Sequence, residues 1–295
     1  MTHKKQQPSP GSKYAGLVPA LGRIAAAPRP EETPRRLRAG KPRGNISSLL
    51  LAVEPSEESV RSENALAIFA KPPIMGRVKT RLIGPLTPRQ AADVHLCCIR
   101  DSIVLACAVR EARCCFFAAP TASKSVSLEY PFWTPVSPRW KLATQRGMDL
   151  GARMASAFRE LFSEGAKKVV IIGTDSPWMG RKRILRAFRL LDKYNVVLGP
   201  AVDGGYYLVG AKKLLPQMFR GVDWGTSRVL RQTLRILKNA GVSYALLKQD
   251  FDLDRPSDLR RLRAMWKRPR SFPFHLSVQF HLWKLEALTR STRRR

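Results

Sequence analysis

Arg77, Lys79 and Arg81 fall within five residues, directly after a short apolar run, Ala65 to Ala70, and a Pro-Pro-x-x-Gly turn. Cations at that spacing suit phosphate: guanidinium and ammonium groups neutralise its oxygens while backbone N–H groups contact them. Gly76 lets the backbone turn closely around such a ligand, and a solvated basic loop is the competing reading. The loop is not of the Walker A kind, because GxxxxGK[ST] is absent.

Carboxylates follow further along. In VVIIGTDSP an apolar run ends at Gly173 and presents Asp175, either as a ligand for a divalent cation or as an ordinary turn or cap residue. In VVLGPAVDGGYYLVG a second run leads to Asp203, with Gly204 and Gly205 allowing a loop packed closely on substrate or a tight hairpin. In QDFDLDRPSDL, Asp250, Asp252 and Asp254 alternate, and Pro256 and Asp258 open a helix. The glycine and distal glutamate of a calcium-binding EF-hand loop are missing from it.

The elements that must position these residues are legible from periodicity. Strands are expected at Leu66 to Ala70, Cys114 to Ala119, Lys168 to Gly173, Val196 to Gly199, Tyr206 to Gly210 and Tyr244 to Leu247. Helices are expected at Pro88 to Arg110, Leu150 to Glu164, Arg181 to Lys193 and Ser227 to Ala240. Thr87-Pro88 is a helix start, and Gly165 and Gly241 are helix terminators. Strands separated by helices imply an α/β three-layer domain with a mostly parallel sheet, in which ligands sit beyond the carboxyl ends of the strands. Three of the four motifs follow expected strands. Cations on the first loop and carboxylates on the later ones are what a transferase needs to hold a nucleotide diphosphate through Mg²⁺ or Mn²⁺.

The chain of 295 residues is 44% hydrophobic, enough for a core, and carries a net charge of +31. Residues 1–60 hold 10 basic and 5 acidic groups and residues 267–295 hold 8 and 1, leaving 35 and 16, still +19, for the stretch between. Such a charge suits nucleic acid, acidic lipid or phosphorylated small molecules. No nucleic-acid motif accompanies the basic run Arg181 to Arg189, so a solvated helix face is expected there and nucleic acid is not the expected partner. Cys97, Cys98, Cys107, Cys114 and Cys115 lie among apolar neighbours without CxxC spacing, as reduced buried thiols of a cytoplasmic protein would.

No apolar stretch approaches the length of a membrane span. The early AGLVPALGRIAAA is broken by Pro19 and Arg23, unlike a secretory signal, while the Arg-rich, acid-poor first thirty residues leave an organelle transit peptide open. Residues 1–62 read as a flexible basic extension with a short apolar patch at Ile46 to Val53, residues 63–266 as the transferase domain, and residues 267–295 as a basic tail. In that tail FHLSVQFHLW alternates as an edge strand would, with subunit pairing and a membrane surface as rival uses.

Taken in order, FAKPPIMGRVKTRL, GTDSP, GPAVDGGYYLVG, WGTSRVL and DLDRPSDL resemble the DUF2064 family of GT-A-fold, glycosyltransferase-like proteins, some assigned to arsenosugar biosynthesis. More distantly the chain resembles molybdenum-cofactor and phospholactate guanylyltransferases. The resemblance implies a GT-A nucleotide-diphospho-sugar transferase fold over roughly residues 65–265. It places Lys71, Gly76, Arg77, Lys79, Thr80 and Arg81 around the nucleotide phosphates, with Gln145, Asp149 and Arg153 in the pocket, although Asp149 equally suits a helix cap. It gives Asp175 and Asp254 to a Mg²⁺ or Mn²⁺ ion, with helix capping as the alternative for Asp254, Asp203 to an acceptor-side contact or to proton abstraction from an acceptor hydroxyl, and Gly204, Gly205, Tyr206, Trp224 and Thr226 to substrate contacts. Met75, Met148, Ala152 and Gly225 depart from the Pro, Gly, Glu and Ser usual in the family.

The implied activity is metal-dependent glycosyl transfer from a nucleotide sugar to a small acceptor. The alternatives are nucleotidyl transfer from an NTP to a phosphorylated acceptor, and a non-catalytic basic nucleic-acid or anion-binding protein.

Overall fold

The computed structural model describes residues 56–120 and 139–266. The patch at 46–53, most of the basic extension and the alternating tail lie outside the described residues. Packed chain begins ahead of residue 63: Ser56 caps a one-turn helix, α1 (Glu57–Val60), and the Ser62 hydroxyl donates to the Glu111 carbonyl at 2.7 Å.

Then follow β1 (Asn64–Ala70), α2 (Pro88–Cys107), β2 (Arg113–Ala118), β3 (Lys141–Thr144), α3 (Leu150–Ser163), β4 (Lys168–Ile172), α4 (Arg181–Lys193), β5 (Val196–Pro200), β6 (Tyr206–Ala211), α5 (Val229–Asn239), β7 (Tyr244–Leu246) and α6 (Pro256–Trp266). The seven strands form one sheet in the order β3-β2-β1-β4-β6-β5-β7. Only β6 runs antiparallel to its neighbours β4 and β5; the other pairings are parallel. Because β6 is reversed, its first residue, Tyr206, lies at the edge where the parallel strands end. The starts of one strand and the ends of six therefore share one rim.

Alternation of side chains along the strands divides the core. Leu66, Ile68 and Ala70 of β1 pack with Ile99 and Ile103 of α2 and Ile184, Phe188 and Leu191 of α4. Ala65, Ala67 and Phe69 face the other way, toward Met154, Phe158 and Leu161 of α3 and Leu237 of α5. A third cluster joins Leu82, Val94 and Cys98 to Trp178, Phe251, Leu253 and Leu262, fixing the first loop, the start of α2 and the segment before α6 against one another.

Local signals behave as the sequence leads one to expect. Thr87 caps α2 by accepting from the Gln90 N–H at 3.2 Å while the Gln90 side chain accepts from the Thr87 N–H at 2.8 Å, a reciprocal box. Helix α2 stops at Cys107, three residues short of the expected Arg110. Strand β3 is an addition. Lys182, Arg186, Arg189 and Lys193 are all exposed on α4, which makes the basic run the wet side of an amphipathic helix. All five cysteines are buried and none forms a disulfide among the described residues. Among the described residues no helix is long and apolar enough to cross a membrane.

Candidate active site

Beyond the shared rim lies a cleft of about 730 Å³ lined by residues from eight separate segments. Its first wall is the loop after β1. Lys79 adopts a left-handed backbone, φ +48°, the only non-glycine to do so among the described residues. Such a conformation costs about 1 kcal/mol or more and persists where surrounding contacts hold it. Here they are short: the Lys79 Nζ donates to Asp175 Oδ1 at 2.5 Å and to the Leu253 carbonyl at 2.5 Å.

The Lys79 side chain is 3% exposed, whereas Asp175 keeps 46% of its side chain open to the cleft. Burial alone would lower the Lys79 pKa, but the Asp175 charge prevails and raises it. Burial likewise opposes ionisation of Asp175, and the adjacent Lys79 charge prevails, holding its carboxyl below the ordinary value. Both groups are charged at neutral pH. Arg81 continues the wall, its Nη1 donating to Asp254 Oδ2 at 2.7 Å. Lys71, Arg77 and Arg153 line the same cleft without an ion pair among the described residues.

The second wall is built by β4 and the extended segment after β7. Phe251 and Leu253 are buried in the third apolar cluster, while Asp250, Asp252 and Asp254 alternate with them and are each bonded to a different element. Asp250 takes Arg183 of α4, Asp252 lies 2.5 Å from the Ser176 hydroxyl, and Asp254 takes Arg81. Burial, reinforced by the Asp175 charge, pushes the Asp252 pKa up to about 7. Ser176 has one proton for two acceptors, Asp252 Oδ1 and the Phe251 carbonyl at 2.8 Å. A protonated Asp252 satisfies both contacts.

His95, from α2, closes the floor. Its Nε2 lies 3.0 Å from the Lys71 carbonyl and its Nδ1 4.0 Å from Asp175 Oδ1. Burial keeps the ring neutral down to about pH 4.

The far wall is aromatic and polar. Gln145 is buried and donates to the Phe117 carbonyl at 2.9 Å, tying the ends of β2 and β3. Asp149 fills both expected roles at once: it lines the cleft and accepts the Ala152 N–H at 2.7 Å as the cap of α3. The Arg153 Nε donates to the Gly147 carbonyl at 3.1 Å. The Trp224 indole lies against Gly151, where any Cβ would come within 2.5 Å of the ring, and Tyr206 meets it edge-on at 6.2 Å. Asp203 Oδ1 accepts the Gly205 N–H at 2.9 Å in a local turn.

Of the sequence-derived candidates, Lys71, Arg77, Lys79, Thr80, Arg81, Gln145, Asp149, Arg153, Asp175, Asp203, Gly205, Tyr206, Trp224, Thr226 and Asp254 all line the cleft. Gly76 and Gly204 do not line it. Gly204 serves packing: at φ +91° a Cβ would sit 2.2 Å from the Ser227 carbonyl oxygen. His95, Ser176 and Asp252 were not among the candidates. The Asp-x-Asp-x-Asp alternation could have pointed to Asp252; a single histidine in an apolar helix carries no such signal.

A mostly parallel seven-stranded sheet between helices, with a charged cleft along the carboxyl ends of its strands, is an α/β three-layer arrangement, and structural similarity makes it the nucleotide-diphospho-sugar transferase fold. A crystal structure from Desulfovibrio desulfuricans G20, provisionally assigned to a nucleotide-diphospho-sugar transferase, matches with TM-score 0.71 and 30% identity over 78% of this chain and 98% of that one. Residues 105–226 match the model of the family described as "uncharacterized protein conserved in bacteria", DUF2064, and the chain belongs to that family. Looser structural matches include 4-diphosphocytidyl-2C-methyl-D-erythritol synthase from Anaerococcus prevotii DSM 20548, with TM-score 0.48 and 7% identity over 70% of this chain and 97% of that one. They also include CMP:2-keto-3-deoxy-manno-octonic acid synthetase complexed with CTP, with TM-score 0.43 and 12% identity over 70% and 100%. No curated protein matches the sequence.

Proposed function

We propose that the protein is a metal-dependent transferase that moves a glycosyl group from a nucleotide sugar to a small acceptor. The observation that carries this reading is the opposition of cations and carboxylates across one cleft at the strand ends. The assignment of the 30% identical Desulfovibrio protein supports it.

In this reading Lys71 and Arg77, which form no ion pair among the described residues, take the diphosphate oxygens, and Lys79 adds its charge from the wall of the same cleft. As the bond from the anomeric carbon to the diphosphate breaks, these charges stabilise the leaving nucleoside diphosphate. The acceptor oxygen forms the new bond to that carbon, and its proton passes to Asp203, one of whose carboxylate oxygens is already fixed by the Gly205 N–H. Trp224 and Tyr206 offer an apolar, partly polar wall to the acceptor or sugar.

Asp175 and Asp252 fit a divalent ion. The two carboxylates lie close enough for the charge of one to raise the pKa of the other, which is the repulsion a cation relieves. Asp254, ion-paired with Arg81 at 2.7 Å, is a further candidate for the same ion. Among the described residues no group of three or more His, Cys, Asp or Glu side chains surrounds a metal-sized site. The ion therefore needs substrate oxygens to complete its shell, as Mg²⁺ commonly does when it binds through one or two carboxylates and phosphates. Bound there, it neutralises charge on the diphosphate.

A thermal-shift screen of nucleotides and nucleotide sugars with and without Mn²⁺ tests this. A selective nucleotide raises Tm only in the presence of metal, whereas metal alone shifts it little. No shift with any nucleotide and metal refutes the reading, and pyrophosphate release from an NTP with a phosphorylated acceptor replaces it with nucleotidyl transfer.

A further inference from the structure

We propose that Arg153 forms an oxyanion subsite on the wall facing the first loop, so that the small acceptor is an acid, carrying a carboxylate or a phosphate. This rests on the transferase reading above and names its acceptor class.

The two walls stand on opposite faces of the sheet. The first loop packs through Leu82 against Val94 and Cys98 of α2, whose Ile99 and Ile103 cover one face of β1. The Lys71 carbonyl is tied to the same helix by His95. Helix α3, which carries Arg153, packs through Met154, Phe158 and Leu161 on the other face. Lys71 and Arg77 therefore reach the cleft from one side and Arg153 from the other. The diphosphate already has Lys71 and Arg77, which leaves Arg153 for a second anion.

The guanidinium is set for that use. Gly147 lies flat on the start of α3: at φ +143° a Cβ there would come within 2.7 Å of the Ala152 carbonyl carbon and the Arg153 nitrogen. This close approach brings the Gly147 carbonyl to the Arg153 Nε, which donates to it at 3.1 Å. The bond fixes the plane of the group and leaves Nη1 and Nη2, which bond to nothing among the described residues, as a fork in the cleft lining. Two parallel N–H donors match the paired oxygens of a carboxylate or phosphate, whereas a lone hydroxyl takes up only one of them. Asp149, on the same turn, does not neutralise the fork. Its Oδ1 accepts the Ala152 N–H at 2.7 Å, and no ion pair joins it to Arg153 among the described residues. Trp224, seated on Gly151 of the same helix, adds an apolar surface to this wall. An acceptor held by its acid group keeps its hydroxyl free for Asp203.

In the experiment the full chain is loaded with Mn²⁺ and whichever of UDP, GDP, ADP and CDP gives the largest thermal shift. It is then titrated calorimetrically with glycerol 3-phosphate, glycerate or glycerol at fixed ionic strength. The two acids are expected to bind the loaded chain and glycerol is not; binding by one acid alone also supports the subsite and says which oxyanion it takes. Arg153→Met is expected to weaken the acid on the order of tenfold to a hundredfold. Arg153→Lys, which keeps the charge and loses the fork, recovers only part of that loss. The nucleotide affinity of both variants changes much less, which also reports that they are folded. Failure of both acids to bind, equal binding of glycerol, or equal binding of the acid by Arg153→Met overturns the proposal. So does a loss of nucleotide affinity as large as the loss for the acid, which gives Arg153 to the nucleotide. Each of these leaves the transferase reading standing. If no nucleotide binds with metal, both fall.

Discussion

Removing either partner of the Lys79–Asp175 pair breaks the same 2.5 Å contact, yet the two losses differ because the partners are unequally enclosed. Asp175→Ala strands the Lys79 ammonium, whose side chain is 3% exposed, with the Leu253 carbonyl as its one remaining partner. Stranding a buried charge costs about 3–5 kcal/mol, and the open side of this cleft argues for the lower figure, about 3 kcal/mol. Lys79→Met keeps the length of the stem and the left-handed backbone and removes the enclosed charge. It leaves Asp175, 46% exposed, to water, at a cost nearer that of a surface pair, about 1 kcal/mol. The double variant removes both charges and is expected to be more stable than Asp175→Ala alone.

Urea unfolding at pH 7, followed by tryptophan fluorescence and circular dichroism together, measures all four proteins. The pH dependence has a defined window. Asp175 is held below its ordinary pKa of 3.8, so its contribution is present above that value and is lost as pH falls through the folded value. Lys79 is held above 10.5, so its contribution is complete below that value and is lost as pH rises through the folded one. The direct contributions of the two groups are thus constant from about pH 5 to 9, and the difference between wild type and double variant changes in that window only around pH 7, where Asp252, raised by burial and by the Asp175 charge, titrates. Equal losses for the two single variants, or an Asp175→Ala protein within about 0.5 kcal/mol of wild type, refute the claim that enclosure of Lys79 governs the pair.

Two further outcomes follow. Burial pushes the thiols of Cys97 and Cys115 up to about 12 and that of Cys114 higher still, so a disulfide-exchange reagent should label the native protein slowly and all five cysteines at once in denaturant; one fast native thiol contradicts this. Gly204→Ala places a Cβ 2.2 Å from a backbone oxygen at φ +91°, whereas Gly76→Ala at φ +73° meets nothing within 4 Å. The first is expected to cost about 3 kcal/mol and the second about 1 kcal/mol, read from Tm, and comparable losses would discount the close packing at Ser227.

Strand β1, the capped α2 and α4 are legible because each carries a local signal: an apolar run, a Thr-Pro cap, a 3.6-residue period. Strand β3 carries none. Lys-Leu-Ala-Thr is short and polar, and as an edge strand it pairs only with β2 and stays half exposed, so no apolar run marks it. The site divides in the same way. Residues that follow strands were legible because chain direction places them at one rim. Their pairings were not, because Lys79 meets a partner 96 positions away and Arg81 one 173 positions away. His95 reaches the cleft only through the packing of α2 on the end of β1, a tertiary fact without a local trace.

The alternating segment from Asp250 to Asp254 makes the site sensitive to chain length as well as composition. A substitution there removes one bond among three and leaves the others in register. A single inserted or deleted residue would instead rotate everything downstream by one side, presenting Phe251 and Leu253 to the cleft and driving aspartates into the apolar cluster behind them. Homologues are therefore expected to keep the number of residues in this stretch fixed.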